Sequence, residues 1–265
     1  MPLILPPRLT ASARTLRDTA RQRGLRTVEL PDHEVPEELR GGSAHLHAGP
    51  SFADAVAPAL GIAPLEAPAD WLARLPIAFV RREIRAVPIR EAYGLRRPAF
   101  VKSPNDKGIP ALVYADGSRL PGPDAVDPET VVLVSDVVVF DEEYRLYLLD
   151  GQVHTGSRYA ASGRLHLAPL SPAAHAFGTE LLAAAGHTLP SAIVVDVGLT
   201  DVGQWAVIEA NAAWAGGCYE SSPDRALDVV LRAAGPAAHL TERDSAFVRC
   251  VSGRRPSAAP PRGRR

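Results

Sequence analysis

Two acids and a carboxamide cluster near the end of the chain, in IVVDVGLTDVGQWAVIEAN, Ile193 to Asn211. Asp196 lies in one apolar run, Gly203 gives the intervening LTDVGQ a turn signal, and Glu209 and Asn211 lie in a second apolar run. Folding the stretch symmetrically about Val202 and Gly203 sets Asp196 opposite Glu209. Asn211, two residues further on, shares their face, while Val195, Val197 and Ile208 turn the other way. Directly opposed carboxylates repel, and a divalent cation would resolve the conflict. Oxygen ligands favour magnesium, with manganese as the alternative, over zinc, and magnesium also takes phosphate oxygens. That chemistry predicts a nucleotide phosphate as substrate. The competing reading is a half-exposed hairpin with a polar outer face, and spacing alone does not separate the two.

Basic residues stand upstream. In AFVKSPNDKGIP, Lys102 ends a strand and Lys107 lies in a polar loop before Gly108. Either amine can act as a point charge on phosphate, and Asn105 to Gly108 can close over a nucleotide. The glycine pattern of a P-loop is missing. Taken singly, Lys102 reads as a snorkelling edge residue and Lys107 as a turn lysine. In FDEEYRLYLL, Glu143 and Arg145 share one face of a strand, and Tyr144 and Leu146 the other. The first pair is either a surface ion pair of little worth or a set that orients ribose or phosphate. Just before it, VLVSDVVVF reads as a long β-branched strand whose edge backbone and apolar face suit an adenine ring.

These residues need elements to position them. LIL at 3–5 predicts a short strand, and ASARTLRDTARQRG a helix with Leu9, Ala13, Leu16 and Ala20 on one face, stopped by Gly24. LRTVEL predicts a second strand. SFADAVAPALG predicts a helix capped by Ser51, with Asp54 near its third position, and ADWLARL a short one. From about residue 86 the chain reads as strands: AFVKS, PALVYA, TVVLVSDVVVF, YRLYLLDG and QVHTG, with Asp-Gly turn signals at 116–117 and 150–151. SPAAHAFGTELLAAAGH predicts a helix capped by Ser171 with Pro172 in its first turn. SSPDRALDVVLRAAG predicts another, with Ser222 and Pro223 in those roles. The final SGRRPSAAPPRGRR holds five Arg and three Pro and reads as a disordered basic tail.

Composition narrows the classes. Hydrophobic residues are 46% of 265, which predicts a folded globular protein, and the net charge of -1 gives no reason to expect nucleic acid as partner. No apolar run reaches spanning length, so no membrane role is expected. Two cysteines, Cys218 and Cys250, argue against a disulfide scaffold and for a cytoplasmic setting. His154, His166, His175 and His187 lack metal-ligand spacing, and no Ser–His or Cys–His pair stands out.

The order FVKSPNDK, VSDVVVF, EYR and VVDVG…IEAN resembles the ATP-grasp superfamily, in its compact and sparsely characterised branch, over about residues 75–235. The resemblance implies an α/β (α+β) ATP-grasp fold: two α+β subdomains gripping ATP, preceded by a small α/β domain. The implied division is a first domain over 1–75, the ATP-grasp domain over 76–250 and the tail over 251–265. It further implies Lys102 on the α- and β-phosphates, Lys107 in the flexible loop above them, and Ser135, Asp136 and Val137 on the hinge that reads adenine. Glu143 falls to ribose, Arg145 to the γ-phosphate or acyl phosphate, and Asp196, Glu209 and Asn211 to magnesium. The implied reaction is ATP-dependent carboxylate–amine ligation through an acyl phosphate, with ATP, an acid and an amine as partners and Lys107 and Arg145 as catalytic groups. A homodimer is common in the superfamily. Two alternatives keep the fold: modification of a peptide or protein terminus, and a non-catalytic nucleotide-binding scaffold. The sequence departs from the superfamily at Val194, where many members place Arg; Arg145 or Arg158 is the candidate replacement. Gly216, Gly217 and Tyr219 are candidates to border an acceptor, Cys218 reads as a buried thiol, and Trp205 and Trp214 as core or pocket wall.

Overall fold

The computed structural model describes residues 1–105 and 108–250. Leu3–Leu5 (β1) is wholly buried and leads through Pro6 and Pro7 to Ala11–Gln22 (α1), which Thr10 caps by accepting from the Ala13 amide at 3.1 Å. Gly24, at φ 75°, turns the chain towards Thr27–Glu29 (β2). His45–Leu46 (β3), Pro50–Leu60 (α2) and Ile62–Pro64 (β4) follow. The first three strands are parallel in the order β2-β1-β3. Ser51 does not cap α2. Gly49 is the cap, because Pro50 is preset for the first helical position and starts the helix a residue earlier.

Trp71–Arg74 (α3) and Ile77–Val80 (α4) lead into a first antiparallel sheet. Its strands are Ile84–Pro88 (β5), Ala99–Lys102 (β6), Leu112–Tyr114 (β7) and Val131–Ser135 (β8), with Ile89–Ala92 (α5) after β5. Their spatial order is β5-β8-β6-β7. Asp116 and Gly117 do not turn a hairpin; the Asp116 side chain accepts from the Ser118 amide and starts a short 3-10 turn.

A second sheet holds Phe140–Leu149 (β9), Gln152–Ala161 (β10) and Arg164–Pro169 (β11). After Pro172–Ala185 (α6) come Ala192–Thr200 (β12) and Trp205–Asn211 (β13), giving the antiparallel order β11-β10-β9-β12-β13. Asp150 and Gly151, both at positive φ, turn β9 into β10 as their types predict. VLVSDVVVF is not one strand. β8 ends at Ser135, and residues 136–139 cross from the first sheet to the second with Val137 and Val139 exposed. Pro223–Ala233 (α7) and Ala234–Pro236 (β14) then return to the start of the chain, where β14 pairs with β4.

Strand alternation sorts the second sheet's two faces. Leu146, Leu148, Ile193, Val195 and Val197 pack with Phe177 and Leu181 of α6. On the other face Tyr147 and Val194 join Leu3, Ile4 and Leu5 and Leu227 and Val230 of α7 in one core. The parallel strands therefore share their core with the second sheet. Arg249 ties these parts together. It donates to both Asp54 oxygens at 2.7 and 3.1 Å and to Glu66 at 2.6 Å, and lies over the Trp214 ring.

Candidate active site

The register of β9, β12 and β13 places Arg145 beside Asp196 and Asp196 beside Glu209 in one row. The three-residue turn Asp201–Gly203, with Gly203 at φ 75°, sets this alignment. Asn211 shares the row's face, as does Glu143. One bulge interrupts β13: Glu209 pairs with Asp196, yet Val207 pairs with Val197. Ile208 is the extra residue and reaches the space beside Gly198. It therefore lies on the site's face instead of joining Val195 and Val197.

The opposed acids are neutralised by side chains of the protein itself. Arg145 Nε and Nη2 donate to the two Asp196 oxygens at 2.8 and 2.7 Å. Lys102 Nζ donates to Glu209 Oε2. Asn211 Nδ2 bridges the acids, donating to Asp196 Oδ2 at 3.1 Å and Glu209 Oε1 at 2.7 Å. Burial pushes the Asp196 carboxyl up, against the pull of Arg145. Burial also works to raise Glu209, but Lys102 and Asn211 outweigh it and hold that carboxyl below its ordinary range. Glu143 is raised by burial, and its Oε2 accepts from the Tyr159 hydroxyl at 2.8 Å. Tyr159 stacks on Tyr219 with centroids 5.1 Å apart, and the Arg145 guanidinium lies over both rings.

Val194 is fully buried in the core, so an arginine there would lose its solvation at a cost of several kcal/mol. Arg145 supplies the charge from the neighbouring strand. Arg158 does not: it pairs with Tyr144, on the opposite face, and its guanidinium binds Glu142 at 2.9 Å.

Lys102, Arg145, Glu209 and Asn211 line a cavity of about 770 Å³. Gly216, Gly217, Tyr219 and Trp214 border it, as do residues at the ends of β1 and β3. Cys218 is buried, and its amide donates to Ser12 Oγ at 3.1 Å. Ser135, Asp136 and Val137 stand apart from this cavity, at the crossing between the sheets. Arg82 spans the gap. It donates to Ser135 Oγ at 3.2 Å, to Val207 O at 2.9 Å and to Ile208 O at 3.3 Å, and burial lowers its pKa to about 10. Lys107 and the tail from residue 251 lie outside the described residues. Arg8, His47 and Arg82 escaped sequence reasoning. HLHAGP, a strand running into a Gly-Pro helix start, was the available signal for His47.

The chain belongs to the ATP-grasp family. Residues 79–229 match an ATP-grasp domain, the second family of its clade. The D-cycloserine synthetase DcsG is similar in structure, with a TM-score of 0.56 at 15% identity, over 87% of this chain and 98% of that one. The D-alanine–D-alanine ligase of Bacillus anthracis has a TM-score of 0.49 at 14% identity, over 87% of this chain and 95% of that one. The ATP-grasp ligase PsnB complexed with minimal precursor has a TM-score of 0.47 at 14% identity, over 87% and 98%. At these identities the likeness is one of fold. No curated protein matches the chain in sequence. Among the described residues, no helix is long and apolar enough to cross a membrane.

Proposed function

We propose that this protein is an ATP-dependent carboxylate–amine ligase that works with magnesium held by Asp196, Glu209 and Asn211. The observation that carries the reading is the row of two acids, one carboxamide, Lys102 and Arg145, with four of these five side chains lining a single cavity. The donor set suits a hard divalent ion, because Asn211 contacts both acids and turning its amide over presents Oδ1 beside their oxygens. Among the described residues, no group of three His, Cys, Asp or Glu competes as a softer metal site. When bound, magnesium bridges phosphate oxygens and neutralises their charge.

Lys102 and Arg145 then exchange part of their contact with carboxylates for contact with phosphate oxygens. Lys107 adds a third positive charge from the loop after Lys102. Backbone groups of Ser135, Asp136 and Val137 read adenine, and Glu143 accepts from a ribose hydroxyl. In the first step a substrate carboxylate oxygen attacks the γ-phosphorus, the bond to the bridging oxygen breaks, and ADP leaves with the electron pair. In the second, an amine nitrogen attacks the acyl carbon, phosphate leaves with its pair, and the nitrogen loses a proton to give an amide. Positioning and charge neutralisation suffice, so no nucleophilic side chain is needed. Two free cysteines and dependence on ATP suit a cytoplasmic enzyme.

The test is release of ADP and phosphate when acid, amine, ATP and magnesium are all present. Asp196→Asn and Glu209→Gln are expected to abolish it while circular dichroism stays native. Undiminished turnover in both variants would remove the metal assignment, and failure of ATP to bind would end the ligase reading.

A further inference from the structure

The cavity extends past the row of charged groups to the ends of the parallel strands. Arg8 and Thr10 line it after β1, and His47, Gly49 and Pro50 after β3. Adjacent strands in the order 2-1-3 open a crevice at their carboxyl ends between the first and third, where parallel sheets bind ligands.

Three observations define what this end would hold. Arg8 is exposed on the stiff loop after Pro6 and Pro7, and it has no ion pair or hydrogen bond among the described residues. Lys102 and Arg145, the other cations of the wall, are each taken by a carboxylate, so Arg8 leaves a positive charge uncompensated. Next, α2 begins at Gly49 with no side-chain cap, whereas α1 is capped by Thr10. Its first amides and its dipole therefore favour an anion. Finally, His47 is 5% exposed, and its Nε2 faces the Gly216 carbonyl at 3.1 Å. A carbonyl only accepts, so Nε2 carries the hydrogen. Burial keeps the ring neutral, which makes Nδ1 an acceptor, and that atom has no partner. An orphaned buried acceptor costs about 1–3 kcal/mol, which an N–H of a ligand recovers.

A free cation, uncapped amides and an orphaned acceptor match a molecule with one anionic end and one N–H end. We propose that this part of the cavity binds the amine substrate as a free α-amino acid. Its carboxylate lies on Arg8 and the start of α2, and its amino group lies towards His47. The assignment rests on the ligase reading and adds the substrate class. A peptide acceptor would present the same amino group with its adjoining carboxyl already in amide linkage, and so would leave Arg8 unpaired.

Calorimetric titration of the full chain tests this. The probes are the twenty common amino acids, D-alanine and D-serine, each against its own carboxamide, with and without Mg2+ and AMPPNP. At least one free amino acid is expected to bind tenfold or more tightly than its carboxamide. Arg8→Ala should remove that preference and Arg8→Lys should keep part of it, while Arg14→Ala, an exposed residue of α1, should keep all of it. The proposal is overturned if no amino acid is preferred over its carboxamide, or if the preference survives Arg8→Ala. Absence of AMPPNP binding would instead strike the ligase reading, and the titrations without nucleotide would still judge the subsite.

Discussion

Asp196 is 1% exposed and gives both oxygens to Arg145, so the pair stands or falls together. Removing one partner strands the other's charge in a desolvated site. Arg145→Met is expected to destabilise the fold by about 3–5 kcal/mol in urea unfolding, and adding Asp196→Leu to recover most of that loss. If Arg145→Met alone costs under ~1 kcal/mol, the buried ion pair is not what holds this face. His47 and His45 give the protein an acid limit. Burial lowers both imidazoles, so below the ordinary histidine value of 6.5 the unfolded chain binds more protons than the native one. Their contribution is complete above pH 6.5 and falls as the solution is acidified through the window beneath it. Unfolding free energy measured from pH 7.5 to 5 should decline in the wild type, and less steeply in His47→Gln. An equal slope in both would remove His47 as a cause.

The β12–β13 hairpin positions two of the three proposed magnesium ligands through register alone, and Gly198 protects that register. A Cβ there would run into the Phe140 ring and come within 2.9 Å of the Glu142 carbonyl oxygen, between β12 and β9. Gly198→Ala should therefore cost about 1–3 kcal/mol and reduce ligation, because it pushes Asp196 away from Arg145. Native stability and turnover together in this variant would show that the strands have slack. This hairpin was the most legible part of the sequence, since period-two alternation and one glycine turn suffice to put Asp196 opposite Glu209. The partners of those acids were not legible. Lys102 and Arg145 reach them from strands distant in sequence, so the repulsion that suggested a metal is already answered by the protein. Ile208 was misjudged because a bulge has no clear signature in an alternating apolar run. VLVSDVVVF read as one strand because β-branched residues do not reveal where a chain changes sheets. β11 went unread because the exposed Leu165 and Leu167 of RLHLAP sit on a sheet edge instead of in a core.

At the scale of the molecule, the parallel strands, the first sheet and the second sheet meet around one cavity, and Arg249 fastens the chain end across that meeting. Its partners Asp54 and Glu66 come from α2 and from the segment after β4. Arg249→Gln should lower unfolding free energy by about 2–3 kcal/mol and weaken acceptor binding more than nucleotide binding, as separate titrations would read. An unchanged unfolding midpoint would mean that the end segment adds nothing to the closure. The boundary near residue 75, expected from the change in sequence pattern, cuts through a core that α7 shares with β1. The first 75 residues expressed alone would therefore expose that apolar face, and we expect them to aggregate. The central claim is that this cavity wall is a magnesium–nucleotide site. Titrating AMPPNP into the wild type and Glu209→Gln, each with magnesium and with EDTA, tests it most directly. The account predicts binding to the wild type that is at least tenfold tighter with magnesium, and loss of that magnesium dependence in Glu209→Gln. Equal affinity in all four titrations, or no binding in any, would contradict it.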